Sequence, residues 1–301
     1  MSTALELKPE PAESTGALEG GPLRAAARTH RGAVRADNQD AFLCAIDAGL
    51  FAVIDGMGGQ KGGERAAALT RDALLKAQEP VKGLLLANER IYEAARADQE
   101  LQGMGCVASA VLVTNGIARI AHVGDTRVYL AGSAGCEQLT TDHTLAAKVQ
   151  ERLGLSHSGA RTLGGRNQIT RDIGGKPRED MRWIDRMEVP LEQGALLLLC
   201  SDGLYGTIGA DELFARLRQA QREQIDAERL VDELVELALQ RGARDNVTAL
   251  VVRQEGQIAR SEEGARSASK AQSLPQRLGG ALIPFLLGTA LGLALAERYL
   301  P

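Results

Sequence analysis

Aromatic side chains are scarce in this chain, with Phe, Tyr and Trp making up 3% of its 301 residues, while 44% of the residues are apolar. A core must therefore be built from interdigitated aliphatic side chains, and the length suffices for one sizeable domain with appended segments. Positive charge is not in excess either. The formal net charge of -4 leaves no basic footprint, which excludes nucleic acid as an expected partner. The cysteines Cys44, Cys106, Cys136 and Cys200 are scattered without Cys-x-x-Cys spacing, so they read as reduced residues in a cytoplasmic domain rather than a disulfide frame or zinc site. His30, His122, His143 and His157 show no metal-ligand spacing. Residues 1–23 are rich in Glu, Pro, Ala and Gly and hold no apolar stretch long enough for a signal-peptide core, which predicts a disordered lead-in.

What the chain does have is a repeated device. The apolar run Leu50-Phe51-Ala52-Val53-Ile54 ends abruptly at Asp55, and Gly56, Gly58, Gly59, Gly62 and Gly63 follow before the helix-forming Glu64 to Leu69. A buried strand delivers a carboxylate to a bare-backbone turn that opens onto a helix. The device returns where Ile117 to Val123 meets Gly124-Asp125, and again where Ala195 to Cys200 meets Ser201-Asp202-Gly203. Asp245 stands just before the strand-like Val247 to Val252 instead of after it. An antiparallel neighbour sets the start of one strand beside the end of another, so all four can share one rim. Singly, each Asp is an ordinary turn or cap residue. Together they need a compensating cation, and an all-oxygen set suits Mg²⁺ or Mn²⁺ rather than zinc. Two such ions activate a shared water and clamp a phosphoryl group for in-line displacement.

The remaining texture predicts antiparallel hairpins at Asp47-Ala48-Gly49 and Asn115-Gly116. Helical spacing runs over 63–78, 84–101, 145–153, 210–220 and 226–241, and a strand over 182–189. Residues 154–180 form a polar, Gly-rich stretch of the length usual for a functional flap.

In order along the chain, Arg35…Asn38-Gln39-Asp40, Asp55-Gly56-Met57-Gly58-Gly59, Gly124-Asp125-Thr126-Arg127, Thr141-Asp142-His143, Ile169-Thr170-Arg171, Ser201-Asp202-Gly203 and Asp245-Asn246-Val247-Thr248 resemble the successive motifs of the type 2C family of metal-dependent serine/threonine protein phosphatases. The resemblance covers about residues 25 to 253, giving a phosphatase domain at 24–253. It implies an α+β fold, an α-β-β-α sandwich of two antiparallel sheets flanked by helix pairs, with a binuclear metal site at one edge. It further implies Mn²⁺ or Mg²⁺ held by Asp55, the Gly56 carbonyl, Asp202 and Asp245. By the same resemblance Asp40 acts through water, Asp125 and Asp202 hold a third ion, and Arg35 grips the phosphate, to which a planar guanidinium fork is suited. Two departures stand out. Gln39 occupies a position where the family usually has an acid, and neither Met57 nor Gln60 is the histidine found there in many members. The proton for the leaving alkoxide is then left to His30, His143, His157 or a metal-bound water.

Beyond a polar linker at 254–277, residues 278–296 run without a charge over about 28 Å as a helix, the thickness of a bilayer core. Arg260, Arg266, Lys270 and Arg277 precede the run and Arg298 follows it, which predicts a tail-anchored protein with its catalytic domain in the cytoplasm, and Gly288 and Gly292 have the spacing of a weak helix-pairing motif. The expected activity is hydrolysis of phosphoserine and phosphothreonine in proteins by a metal-activated water, opposing a Ser/Thr kinase, with phosphoproteins as partners. The alternative is a catalytically weak relative that binds phosphorylated partners as a sensor or scaffold.

Overall fold

Strands that are aliphatic on both faces need cover on each side, and the computed structural model, which describes residues 13–15, 18–153, 168–177 and 181–255, shows how it is supplied. The strands are β1 (Glu13–Ser14), β2 (Leu18–Gly20), β3 (Leu23–His30), β4 (Asp40–Ala45), β5 (Leu50–Met57), β6 (Gly105–Thr114), β7 (Ile117–Val123), β8 (Arg127–Gly132), β9 (Gly135–Gln138), β10 (Asp185–Pro190), β11 (Leu196–Cys200) and β12 (Val247–Gln254). They form two antiparallel sheets, one ordered β1-β3-β12-β11-β8-β9 with β2 also on β3, the other β10-β7-β6-β5-β4. The helices are α1 (Gly59–Ala77), α2 (Pro80–Ala97), α3 (Leu145–Leu153), α4 (Asp202–Ile208), α5 (Ala210–Glu223) and α6 (Ala227–Gln240).

Period-two alternation distributes the strands among three apolar layers. Phe51 and Val53 of β5 meet Leu197 and Leu199 of β11 between the sheets. The alternate residues Ala52 and Ile54 face Leu74, Leu84 and Ile91 of α1 and α2. Leu196 and Leu198 face Leu213, Leu217 and Leu234 of α5 and α6. The result is the expected α-β-β-α sandwich, its core almost wholly aliphatic.

Local chemistry fixes several boundaries. Asn115 (φ 53°) and Gly116 (φ 71°) make the tight turn of the β6–β7 hairpin. At the start of α2, Pro80 takes the first helical position and the Glu79 side chain accepts from Val81 N and Lys82 N. Asp226 caps α6 in the same way.

Two expectations are corrected and one helix is added. The segment expected to be disordered, 1–23, contains β1 and β2, both paired to β3, which itself begins at Leu23. The edge of β3 offers unpaired backbone groups that even short polar strands can satisfy. Helix α1 begins at Gly59, not Gly63: a Cβ on Gly62 would lie 3.0 Å from Met104 Cβ, and one on Gly63 would lie 2.7 Å from Gln39 Oε1, so close packing places glycines in the first turn despite their helix cost. Helix α4, which follows Ser201 directly, is an element to which no expectation had been attached. Among the described residues no helix is long and apolar enough to cross a membrane; the expected linker beyond Glu255 and the uncharged run 278–296 lie outside them.

Candidate active site

The carboxylates reach one edge of the sandwich from both sheets. Asp40 opens β4 and Asp55 stands near the end of β5, directly opposite each other in the ladder. Asp202 follows the end of β11 and Asp245 precedes β12, and the antiparallel register of those strands, Cys200 against Ala249, brings the two to the same end. Asp125 lies in the short crossing from β7 in one sheet to β8 in the other. A cleft of about 550 Å³ is lined by Arg35, Gln39, Asp55, Gly56, Asp125, Ile169, Asp202, Asp245 and Asn246 among others. Every site residue expected from the sequence is thus on the cleft wall except Asp40, which is buried behind it.

Crowding of like charges away from water raises the carboxyl pKa values. Asp55 is pushed well above its ordinary range by burial and then by Asp40, Asp202, Asp125 and Asp245. Burial chiefly lifts Asp125 to about 7, with Asp202 adding to it. Burial lifts Asp40 to about 7 against the pull of two hydroxyls, Ser201 Oγ and Thr248 Oγ1, which both donate to its Oδ2 at 2.6 Å. Asp202 rises to about 6 through burial and Asp245, with Arg35 opposing. The cation at the rim is Arg35, whose guanidinium donates to Asp245 Oδ2 at 2.8 Å.

Among the described residues no three His, Cys, Asp or Glu side chains close a ready-made metal cage. The donors are instead carboxylates spread around an open cleft together with the Gly56 main chain, a set that suits a hard ion retaining several waters. A Cβ on Gly56 would collide with the Gly63 carbonyl and lie 2.6 Å from Gln39 O, so only glycine fits this turn. The donor chemistry therefore fits Mn²⁺ or Mg²⁺.

Sequence reasoning did not foresee how these groups are held in place. Asn246 Nδ2 donates to Arg31 O and Asp37 O, both at 3.0 Å, while its Oδ1 accepts from Gln39 N at 2.9 Å. This one side chain pins the loop that carries Arg35 against the Asp245 turn. Gln39 donates from Nε2 to Gly59 O at 2.6 Å, a bond an acid could not make, so the departure at this position latches the glycine turn. On the far wall the Tyr205 hydroxyl donates to Asp125 O at 3.0 Å. Arg127 stacks 3.6 Å from the centre of the Tyr205 ring and forks onto Asp142 at 2.9 and 2.6 Å. No spacing in the sequence signals these partners, since they meet only across the sheet edge.

Two of the histidine candidates, His30 and His143, are otherwise engaged. Gly124 N donates to His143 Nδ1, and His143 Nε2 stands 3.0 Å from both Asp185 Oδ2 and Arg171 Nη1. His30 Nδ1 accepts from Gly32 N. His157 lies outside the described residues. Among the described residues lining the cleft there is no His, Cys or Ser, so it offers none of those side chains as a nucleophile.

A family model for protein phosphatase 2C matches residues 27–163, and one for stage II sporulation protein E matches residues 175–255. The protein phosphatase PhpP of Streptococcus pneumoniae is 30% identical over 240 residues, covering 74% of this chain and 94% of that protein. The chain belongs to the protein phosphatase 2C family. The serine/threonine protein phosphatase PstP of Mycobacterium tuberculosis is 34% identical over 239 residues, 76% of this chain but 44% of that longer protein. The crystal structure of the catalytic domain of PstP in complex with two manganese ions superposes with a TM-score of 0.67 at 30% identity, covering 78% of this chain and 99% of that one. Over the phosphatase 2C domain, then, fold and sequence agree with a metal-dependent serine/threonine phosphatase.

Proposed function

We propose that this protein hydrolyses phosphoserine and phosphothreonine in protein substrates and opposes a Ser/Thr kinase. The observation that carries this reading is the convergence of Asp55, Asp125, Asp202 and Asp245 with Arg35 on one cleft, with Asp40 directly behind. In this reading Asp55, the Gly56 carbonyl, Asp202 and Asp245 would hold two Mn²⁺ or Mg²⁺ ions, Asp125 and Asp202 would hold a third, and Asp40 would act through water. Bound there, the ions would supply Lewis acidity, lowering the pKa of water and neutralising charge on the phosphoryl oxygens. Arg35 swings from Asp245 to fork onto two phosphoryl oxygens and orients the phosphorus toward the cleft floor. Ser201 and Thr248 keep the Asp40 carboxylate turned inward, where it accepts hydrogen bonds and fixes the direction of its neighbours. Hydrolysis is direct, without a phosphoenzyme.

Purified protein should hydrolyse a phosphothreonine peptide only with Mn²⁺ or Mg²⁺, and Asp55→Asn should lower kcat at least about 100-fold, the scale of losing a charge-stabilising group. No metal-dependent turnover by the wild type would refute the assignment. An enzyme role also requires that Asp55→Asn fail to complement a deletion, whereas a sensor or scaffold would still complement.

We further propose that residues 278–296 anchor the protein in the cytoplasmic membrane with the phosphatase domain in the cytoplasm. The support is the uncharged run itself and the basic residues before it. The full chain should pellet with membranes and need detergent for release; recovery in the soluble fraction would count against the anchor.

A further inference from the structure

A second hollow, of about 670 Å³, lies against the catalytic cleft and is lined by Tyr92, Arg96, Gln99, Gln102, Met104 and Lys176 with neighbouring small residues. The two hollows are separated by two backbone segments packed directly against each other. Gly58 lines the cleft, Gly103 and Met104 line the second hollow, and a Cβ on Gly58 would stand 2.6 Å from Met104 Cα and 3.0 Å from Gly103 O. The opposite side is equally fixed. Ile173 and Cys106 exchange backbone hydrogen bonds at 2.8 and 2.9 Å, Gly174 N donates to Asn88 Oδ1 at 2.8 Å, and Gly174 (φ +120°) sits where a Cβ would lie 2.6 Å from Ile91. The groove is therefore preformed between the end of α2 and residues 174–176.

Its charge has one sign. Arg96 and Lys176 line it and no carboxylate does. Neither makes an ion pair with another described residue, and Arg96 lies 5.7 Å from the centre of the Tyr92 ring, an arrangement that steadies a guanidinium while leaving its N–H groups open. The nearby Asp98 is turned away, its Oδ1 accepting from Glu100 N at 2.9 Å. Gln99 and Gln102 add amide donors, and Tyr92, Ala95 and Met104 give an apolar floor for peptide backbone and methylenes. An extended chain advances about 3.3 Å per residue, so a few residues carry a peptide from one hollow into the other.

We propose that this groove binds an acidic segment flanking the phosphorylated residue of the protein substrate, its carboxylates meeting Arg96 and Lys176. This rests on the phosphatase reading of the adjoining cleft. Because both cations are exposed, they act on encounter and on KM in a salt-dependent way, and leave the chemical step alone.

The test uses the full chain in detergent, wild type and Arg96→Glu/Lys176→Glu, with three substrates: a phosphothreonine peptide flanked by glutamates, the same peptide flanked by glutamines, and p-nitrophenyl phosphate, which has no flank. Binding of a fluorescein-labelled glutamate-rich peptide, read by anisotropy, needs no turnover. The double variant should lose about tenfold in kcat/KM on the glutamate-flanked peptide at low salt, lose labelled-peptide binding in parallel, and keep its rates on the other two substrates. In the wild type the preference for glutamate flanks should vanish at 0.5 M NaCl, about where the screening length falls below 5 Å. An unchanged preference in the double variant, or an equal loss on all three substrates, would overturn the groove. Absence of turnover on all three in the wild type would overturn the phosphatase reading instead, while anisotropy would still decide whether the groove takes acidic peptide.

Discussion

His122 is fully buried, and its partners fix its state. Its Nε2 faces the Thr141 carbonyl at 3.1 Å, an acceptor only, so Nε2 carries the proton and Nδ1 accepts from Ser109 Oγ at 2.9 Å. Burial, with His143 at a ring separation of 4.8 Å, lowers its pKa to about 3. Its NMR ring signals should therefore stay fixed from pH 8 to pH 5, and a titration near pH 6.5 would contradict the structure. Because the folded state refuses a proton that the unfolded chain accepts, this residue removes stability as pH falls from about 6.5 toward 3, by up to about 1.4 kcal/mol per pH unit. Asp40 and Asp125, raised to about 7, act oppositely: the folded state takes their protons first, and that contribution is lost as pH rises from about 4 to 7. Residue-resolved titration separates the two where a melting curve would sum them. The carboxylates were legible in the sequence because each ends an apolar run. Ser201, Thr248 and Asn246 were not legible as supports, because a hydroxyl or amide beside a strand end carries no mark of the partner it meets across the fold.

At the scale of elements, capping chemistry is local and testable. Glu79→Ala removes the acceptor for Val81 N and Lys82 N at the start of α2. It should cost about 1 kcal/mol, a fall in Tm of about 2–4 °C by calorimetry, with kcat unchanged because α2 holds no group of the catalytic cleft. Periodicity and turn residues revealed the long helices and the β4–β5 and β6–β7 hairpins, since both are local signals, but not the β2–β3 and β8–β9 hairpins. They missed α4, whose seven residues complete too few turns to show a period, and whose position depends on Gly203 letting the chain pass against Asn246 O. They also missed β1 and β2, which are strands because β3 presents an edge and not because their residues favour extended structure.

For the molecule as a whole, the cleft exists because two sheets end at one rim, and the electrostatic strain there should appear in stability. Mn²⁺ at about 100 times its Kd should stabilise the folded protein by about 2.7 kcal/mol, a rise in Tm of about 5–10 °C that EDTA reverses. Asp202→Asn removes a carboxylate whose pKa is raised by burial and by Asp245. It should abolish most of the Mn²⁺ shift and, without metal, melt higher than the wild type. A variant that melts lower without metal would show that Asp202 holds the fold rather than strains it.

The sequence by itself determined the aliphatic layers, the strand-terminal aspartates and the glycine turn at Asp55, because alternation, abrupt polarity changes and missing side chains are written locally. Only the tertiary structure decided that Asp40 sits behind the cleft under Ser201 and Thr248, that Gln39 latches the turn to Gly59, and that His143 is committed to Gly124 and Asp185. Those assignments depend on which strand ends become neighbours, a property of the two sheets together that no stretch of chain carries alone.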